Sequence, residues 1–216
     1  MKLLRSIALA AFCLFFFSGQ AKAQLFTAGA GYSAVLENMQ NSGVPTQSFA
    51  NAITAGVEWH FGFYKHFGCT VGAHYMYAFS GGPDDVNKAV RESYRESAVL
   101  IPAYANYTFL QVNYDYQFFV FAGPTLEVGI TSSLKSDGNT AINLYSSSNP
   151  GQNRVNLWLG AGIGLDIYRS VLLKVGYQRS MLNYARSAPG ITIFRDLFTV
   201  GIQVTFASNG AWAESY

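Results

Sequence analysis

The sequence contains little charge. Only 12% of its 216 residues are Asp, Glu, Lys or Arg, whereas about a quarter of the residues in a typical soluble domain are charged. Half of the residues are hydrophobic and 16% are aromatic, so something other than water is expected to cover much of the surface. A net charge of +2 gives no cationic field for a phosphate backbone, which excludes nucleic acid as a partner. The length fits one domain of barrel or sandwich size.

Cysteines and long apolar runs are also scarce. Of the two cysteines, Cys13 lies in an N-terminal apolar run, which leaves Cys69 alone in the rest of the chain and predicts no internal disulfide. After Gln24 no stretch approaches 18 consecutive apolar residues, so no transmembrane helix is expected. If a membrane is crossed, strands must cross it.

The N-terminus has the features of a secretory signal peptide. Lys2 and Arg5 precede the apolar run 7–17, and small residues follow at Ala21 and Ala23. As a helix the run would span about 16 Å, too short for a hydrocarbon core of roughly 30 Å. We therefore predict cleavage between Ala23 and Gln24. The predicted segments are a signal peptide (1–23), a barrel (24–206) and a C-terminal tail (207–216).

Hydrophobic residues alternate with small or polar ones along the chain. The clearest example is 155–168, where Val155, Leu157 and Leu159 begin an apolar series interleaved with Asn156 and Trp158. The pattern has period two and is longer than an ordinary globular strand. Glycines recur at i+2, which a helix would not tolerate. Eight strands are predicted, at 26–33, 53–61, 67–79, 97–109, 118–130, 155–168, 171–184 and 198–206.

The predicted links alternate between long and short. They run over 37–48, 62–66, 80–96, 110–117, 131–154, 169–171 and 185–196. Long external loops alternating with short periplasmic turns are typical of transmembrane barrels. The fold prediction is an all-β, eight-stranded antiparallel up-and-down transmembrane β-barrel, whose narrow interior is filled by side chains.

The composition of the two strand faces favours this barrel over a secreted lipocalin-like barrel or a soluble sandwich. The second face is rich in glycine, as at 160, 162 and 164, and suits a narrow lumen better than a wet surface. The strand charges fall on that face, as a predicted structural charge network of Glu58, Glu127, Asp166 and Lys174. An aromatic girdle at the membrane boundary is predicted from Trp59, Phe61, Tyr64, Phe67, Phe109, Tyr116 and Phe118.

Pairing inside the lumen follows as a hypothesis. A three-residue turn at 169–171 would place Asp166 opposite Lys174, and Glu127 could join them. Glu58 would then need Lys174, His60 or an arginine from an external loop, because an unpaired buried carboxylate is costly. The pairs are expected to stabilise the barrel. The alternative is that an exchange of partners among them opens a pore.

No catalytic, cofactor-binding or metal-binding residue is predicted. Strand pairing sets His60 near Cys69 or Thr70 rather than near His74, which disfavours a shared metal. No predicted external loop contains a histidine that could serve as the base of an acyl-transferring site. The chain is therefore not expected to be an enzyme.

Four segments carry a family resemblance. The stretches 101–104 (IPAY), 121–124 (FAGP), 160–164 (GAGIG) and 198–206 resemble those of small outer-membrane β-barrels, including PorT-like and OmpA/OmpX-like proteins. The resemblance covers essentially the whole chain after residue 23. It implies a bacterial outer-membrane location, with membrane lipid and the barrel-assembly machinery as partners. It also implies an aromatic assembly signal, for which Phe206 is favoured over Tyr216.

The predicted function is a non-enzymatic structural or surface-interaction role. Loops 80–96 and 131–154 are the expected contact surfaces for a protein or other surface ligand. Membership of a secretion or transport assembly, as in PorT-like proteins, is the alternative. A small-solute pore is disfavoured because eight strands enclose little space.

Overall fold

The computed structural model describes residues 23–41, 43–64, 66–80, 92–112, 115–136, 141–146, 151–186 and 190–209. Nine strands lie within these ranges: β1 (Ala23–Asn41), β2 (Val44–Tyr64), β3 (Phe67–Ser80), β4 (Glu92–Val112), β5 (Tyr116–Ser136), β6 (Ile142–Asn143), β7 (Val155–Ile167), β8 (Val171–Ser180) and β9 (Ile191–Asn209). In the described part of the chain, no helix has the length and apolar character that crossing a membrane requires.

The eight long strands form a closed ring. Hydrogen bonding follows the order β4, β3, β2, β1, β9, β8, β7, β5, and β4 also pairs with β5. Every pair is antiparallel, and the β4–β5 pairing joins the two outermost long strands of the sheet. The short β6 pairs with β5 through Ser133 and Leu134. The predicted eight-stranded antiparallel barrel is confirmed.

The two faces of each strand differ as the alternation predicts. On β7, Leu157, Leu159 and Ile163 are exposed on the outside, whereas Asn156 and Trp158 are buried inside. On β9, Phe198 and the alternate residues up to Phe206 face outward. The outer face is therefore an apolar band, and the inner face carries the polar and small residues.

Six of the eight barrel strands are longer than predicted, and the predicted 37–48 loop is wrong. β1 and β2 stay paired to Asn41 and Val44, which leaves only residues 42–43 between them. Gly43 lies there at φ 87°, a left-handed conformation that glycine adopts without strain. The links 110–117 and 131–154 are likewise shortened by strand extension. The predicted strand 171–184 ends already at Ser180 and β9 begins at Ile191, so the link 181–190 replaces the predicted 185–196. The polar composition of these extensions is typical of loops and hides their strand pairing.

The barrel has two distinct ends. We call the end with the short links at 65–66, 113–115 and 168–170 the turn end, and the opposite end the loop end. The turn 168–170 replaces the predicted 169–171.

Residues 81–91, most of the predicted 80–96 loop, lie outside the described residues. So do residues 1–22 of the predicted signal peptide and 210–216 of the predicted tail, while β9 continues three residues beyond Phe206.

The lumen contains two apolar clusters and is not completely filled by side chains. One cluster, which includes Met76, Trp158 and Leu197, lies toward the loop end. The other consists of Leu25, Tyr104, Phe119, Phe121 and Leu172 and lies toward the turn end. A small cavity lies between glycine-lined β1, β8 and β9 and the rings of Tyr104 and Phe121. Glycines on the inner face leave this volume open.

Candidate functional site

A buried arginine closes the lumen at the loop end. Arg195 of β9 is 2% exposed. Its Nε donates to Glu37 at 2.7 Å, its Nη1 to Glu96 at 2.7 Å, and its Nη2 to the Tyr94 hydroxyl at 2.9 Å. The guanidinium carbon also lies 4.1 Å from the centre of the Tyr184 ring. One cation thus joins side chains from β1, β4, β9 and the segment after β8.

Glu127 lies beside this arginine group and not beside Asp166 or Lys174. It accepts hydrogen bonds from Trp158 Nε1 at 2.8 Å and from the Tyr184 hydroxyl. Trp158 and Tyr184 are each 1% exposed. The prediction that Glu127 joins the other strand charges is therefore wrong. Its inward side chain lies nearer the loop end of β5, beside Trp158 and Tyr184.

Two segments outside the eight barrel strands fold over the loop end, and we call residues 142–146, which include β6, and residues 181–186 the cap. In the first, Tyr145 is buried and donates its hydroxyl to Glu96. Backbone bonds fix both segments: Leu144 N to Ser132 O at 2.9 Å, and Asn153 N to Tyr184 O at 2.8 Å. The cap is therefore attached to the barrel wall and to buried carboxylates beneath it.

The environment of the cap changes the proton affinity of its tyrosines. Burial raises the pKa of Tyr145 well above its usual range, and the charges of Glu96 and Glu127 raise it further. The pKa of Tyr184 is raised mainly by burial and next by Glu127. Both hydroxyls therefore remain protonated donors at neutral pH.

Sequence reasoning missed the arginine group because it assigned Glu37, Glu96 and Arg195 to loops. A signal was present nevertheless. Arg195 continues the inner-face series Leu197, Thr199 and Gly201 of the last strand at intervals of two. Extending the alternation by one step would have placed Arg195 in the lumen.

A second ionic group lies lower in the lumen. Lys174 of β8 contacts Glu58 of β2, which is 3% exposed. His60 Nε2 and His74 Nε2 lie 3.3 and 3.0 Å from the same carboxylate. Lys174 and His60 were two of the three partners left open for Glu58.

The predicted pairing of Asp166 with Lys174 is wrong. Because the turn is 168–170, Asp166 lies opposite Leu172, and Lys174 lies opposite Gly164. The long Lys174 side chain instead crosses the narrow lumen to Glu58. Asp166 lies near the turn end, where its Oδ1 has no hydrogen-bond partner among the described residues.

The histidines are arranged largely as the strand register predicts. His60 lies opposite Thr70, and its Nδ1 is 2.8 Å from the Thr70 hydroxyl. His74 and His60 both contact the Glu58 carboxylate, which links them. In the part of the chain that the structure describes, no three His, Cys, Asp or Glu side chains are placed to share a metal.

Aromatic side chains surround the outside of the turn end. Trp59 and Phe26 have ring centres 4.9 Å apart, as do Phe67 and Tyr107. The remaining predicted girdle residues include two tilted ring pairs, Phe109 with Phe118 at 6.4 Å between centres and Tyr116 with Tyr168 at 5.5 Å. Phe61 is half-buried, and the side chain of Tyr64 lies outside the described residues. Phe206, the predicted assembly signal, is 68% exposed on the outer face and 6.5 Å from Phe26.

A second set of outward tyrosines lies nearer the loop end, and sequence reasoning missed it. Tyr75 donates to Ser97 at 2.9 Å, Tyr177 donates to Asp196 at 2.6 Å, and Tyr32 donates to Asn51. Their rings lie on the apolar band and their hydroxyls reach polar groups on the neighbouring strand. This is the arrangement of aromatic residues at a membrane interface.

Among the described side chains of the loop end, exposed charge is basic: the exposed ionic residues are Arg95, Lys135, Arg154, Arg179 and Arg186. The carboxylates described there are buried or half-buried: Glu37 and Glu96 pair with Arg195, and Asp196 contacts Tyr177 and Arg179. The described part of the closed mouth thus has a cationic rim.

A comparison with curated proteins gives no match. Among solved structures, the chain is similar to Ail of Yersinia pestis, with 11% identity, TM-score 0.45, and coverage of 84% of this chain and 99% of Ail. OprG of Pseudomonas aeruginosa gives 11% identity, TM-score 0.45, and coverage of 86% and 97%. The outer membrane enzyme PagL gives 13% identity, TM-score 0.42, and coverage of 82% and 99%.

The family comparison is decisive for fold and location. Residues 23–185 match the family described as outer membrane protein beta-barrel domain. The match covers most of the chain and includes β1 through β8. The apolar outer band is therefore the surface that faces the lipid of a bacterial outer membrane, and the chain belongs to the outer membrane protein beta-barrel domain family.

Proposed function

We propose that this protein is a non-enzymatic surface-interaction barrel whose loop end is a fixed, positively charged platform outside the cell. The barrel anchors the platform in lipid, and the cap and the rim make the contacts. The observation that carries the proposal is the closed mouth, where buried tyrosines hold the cap on Glu96 and Glu127.

A fixed cap favours binding because it reduces the ordering cost of association. Contacts made by mobile loops lose conformational entropy on binding, and a surface that is already ordered avoids that loss. The segments 142–146 and 181–186 are held by backbone hydrogen bonds as well as by side chains. The same packing fills the route that a solute pore would need.

The rim indicates the chemistry of the partner. Lys135, Arg154 and Arg186 are exposed around the cap, and the neighbouring described carboxylates are engaged with cations inside or beside the wall. Complementary charge steers association and makes it sensitive to salt. The proposed partner is therefore an anionic surface polymer or an acidic protein face.

The test compares charge reversal at the two ends of the barrel. Outer-membrane vesicles carrying the protein are applied to alginate-coated beads and to neutral dextran beads. Lys135→Glu with Arg186→Glu is expected to reduce retention on alginate several-fold, and retention is expected to fall as salt is raised. The matched control is Arg169→Glu at the turn end. Equal retention by all variants, or an equal loss with Arg169→Glu, would contradict the proposal.

The alternative role in a secretion or transport assembly predicts a different result. Extraction in mild detergent would then recover one stable protein partner in fixed ratio, and charge reversal at the rim would leave that complex intact. Absence of such a complex together with salt-sensitive binding favours the surface role.

A further inference from the structure

One cation of the loop end lies on the lipid-facing side of β4. Tyr94 and Glu96 point into the lumen, where both bond to Arg195. Because successive side chains of a strand point to opposite faces, Arg95 and Ser93 point outward. Arg95 is exposed and Ser93 is half-buried. The guanidinium of Arg95 therefore leaves the wall sideways, toward the membrane.

A second cation lies on the same side of the neighbouring strand β5. Ser132 is 1% exposed and donates its hydroxyl to the buried Gln152 on the inner face. By the same alternation Ser133 and Lys135 point outward, and Lys135 is exposed. Two cations from adjacent strands thus share one patch of the outer surface.

The strand register places these four side chains in a square. Ser93 lies opposite Lys135, and Arg95 lies opposite Ser133, so the two cations occupy one diagonal and the two hydroxyls the other. Diagonal neighbours of an antiparallel pair are about 7–8 Å apart, within reach of long side chains. Among the described residues, none of the four has a side-chain hydrogen bond or ion pair. Their donors are available to one external group.

The square lies at the level of the lipid headgroups. Ser97, two residues nearer the barrel centre than Arg95, accepts the Tyr75 hydroxyl of the outer tyrosine set. Two residues of strand correspond to about 7 Å, and the headgroup region on each side of a bilayer is roughly 5–8 Å thick. Farther along the same two strands, Ile101 and Leu126 form an outward pair that belongs to the apolar band. A lipid headgroup and its acyl chains would meet one continuous surface.

We propose that Arg95 and Lys135, together with the hydroxyls of Ser93 and Ser133, bind the phosphate of an anionic lipid in the leaflet at the loop end. The guanidinium and the ammonium supply charge-assisted donors, which phosphate oxygens accept strongly. A zwitterionic lipid is disfavoured, because its own cation would lie beside two others. The inference rests on the lipid-facing band and not on polymer binding: Lys135 is shared with the proposed polymer contacts, whereas Arg95 is not.

The test measures lipid binding to the full barrel by native mass spectrometry from a neutral detergent. The probes are dioleoyl phosphatidic acid and dioleoyl phosphatidylcholine at equal concentration. The native barrel is expected to bind its first phosphatidic acid more tightly than phosphatidylcholine. Arg95→Gln and Lys135→Gln are each expected to reduce that preference about fivefold, the effect of one basic side chain near an anionic lipid surface. Both substitutions lie on the outside of the wall, so the barrel is expected to fold.

Arg186→Gln is the matched control, because it removes one exposed cation of the cap at the same end of the barrel and should keep the full lipid preference. Since Arg186 is a proposed polymer contact and Arg95 is not, alginate retention and lipid preference can fail independently. Absence of a preference in the native protein, or a preference that survives in the Arg95→Gln, Lys135→Gln double variant, would overturn the proposal. So would an equal loss in Arg186→Gln, or displacement of the lipid by excess inorganic phosphate, which would indicate a site for the free ion.

Discussion

Arg195 is the residue on which the closed mouth depends most. It is the only buried cation described between Glu37 and Glu96, and its planar guanidinium reaches both carboxylates and Tyr94 at once. Arginine suits this position because its donors have a fixed fork geometry that a lysine ammonium lacks.

Replacing Arg195 by lysine should therefore be strongly destabilising despite the conserved charge. We expect Arg195→Lys to lose about 3 kcal/mol of unfolding free energy, because it leaves buried acceptors unsatisfied. Urea titration of the barrel in detergent measures the loss. Arg154→Lys on the exposed rim is the control and should change stability by less than about 0.5 kcal/mol. Equal effects of the two variants would contradict this account.

Lys174 gives a second prediction at this scale. Lys174→Met removes the cation from Glu58 and should cost about 3–5 kcal/mol, as for other broken buried pairs. Adding Glu58→Gln should recover much of that loss, because the uncompensated charge disappears. Equilibrium unfolding of the single and double variants measures the coupling. An unchanged stability of Lys174→Met would show that the pair contributes nothing.

The inward orientation of these charges could be predicted from sequence, but their partners could not. Alternation fixes the face of Glu58, Lys174 and Asp166. Partners across the lumen depend on the stagger between strands and on side-chain reach, neither of which is visible in a period-two pattern. A turn displaced by one residue was enough to remove Asp166 from Lys174.

At the scale of elements, the cap is the structure that gives the loop end its shape. Tyr145 and Tyr184 keep their protons in the folded state because burial raises the pKa of each. In the unfolded chain tyrosine loses its proton near pH 10. Above that pH the unfolded state binds fewer protons than the folded state, so stability must fall as pH rises.

Each of these tyrosines should contribute a slope of about 1.4 kcal/mol per pH unit above pH 10. Urea unfolding between pH 8 and 11 measures the slope. Tyr145→Phe with Tyr184→Phe should make the curve flatter. A double variant with the slope of the native protein would show that the cap tyrosines are not buried donors.

The strands show where sequence reasoning succeeds and where it fails. Strand centres such as 155–167 are found correctly, because lipid on one side and a polar lumen on the other impose strict alternation. The extensions 37–41 and 44–48 are missed, since both of their faces are polar and the period disappears. Tyr145 and Tyr184 are missed because a cap folds back through tertiary contacts that leave no periodic signal.

For the whole molecule, the closed mouth and the two lumen charge groups predict an absence of channel activity. The native barrel in a planar lipid bilayer should give no stepwise conductance, because the Arg195 group and the Glu58 group both obstruct the lumen. Regular ohmic steps from the purified native protein would contradict this prediction and would favour the pore alternative.

The central claim is that the cap and its cationic rim lie outside the cell, with the turn end in the periplasm. Single cysteines introduced by Arg186→Cys and Asp115→Cys in a Cys69→Ser background test it directly, with a membrane-impermeant maleimide applied to intact cells. We predict that the Arg186→Cys protein is labelled at once and the Asp115→Cys protein only after permeabilisation. Labelling of the Asp115→Cys protein alone in intact cells would contradict the account.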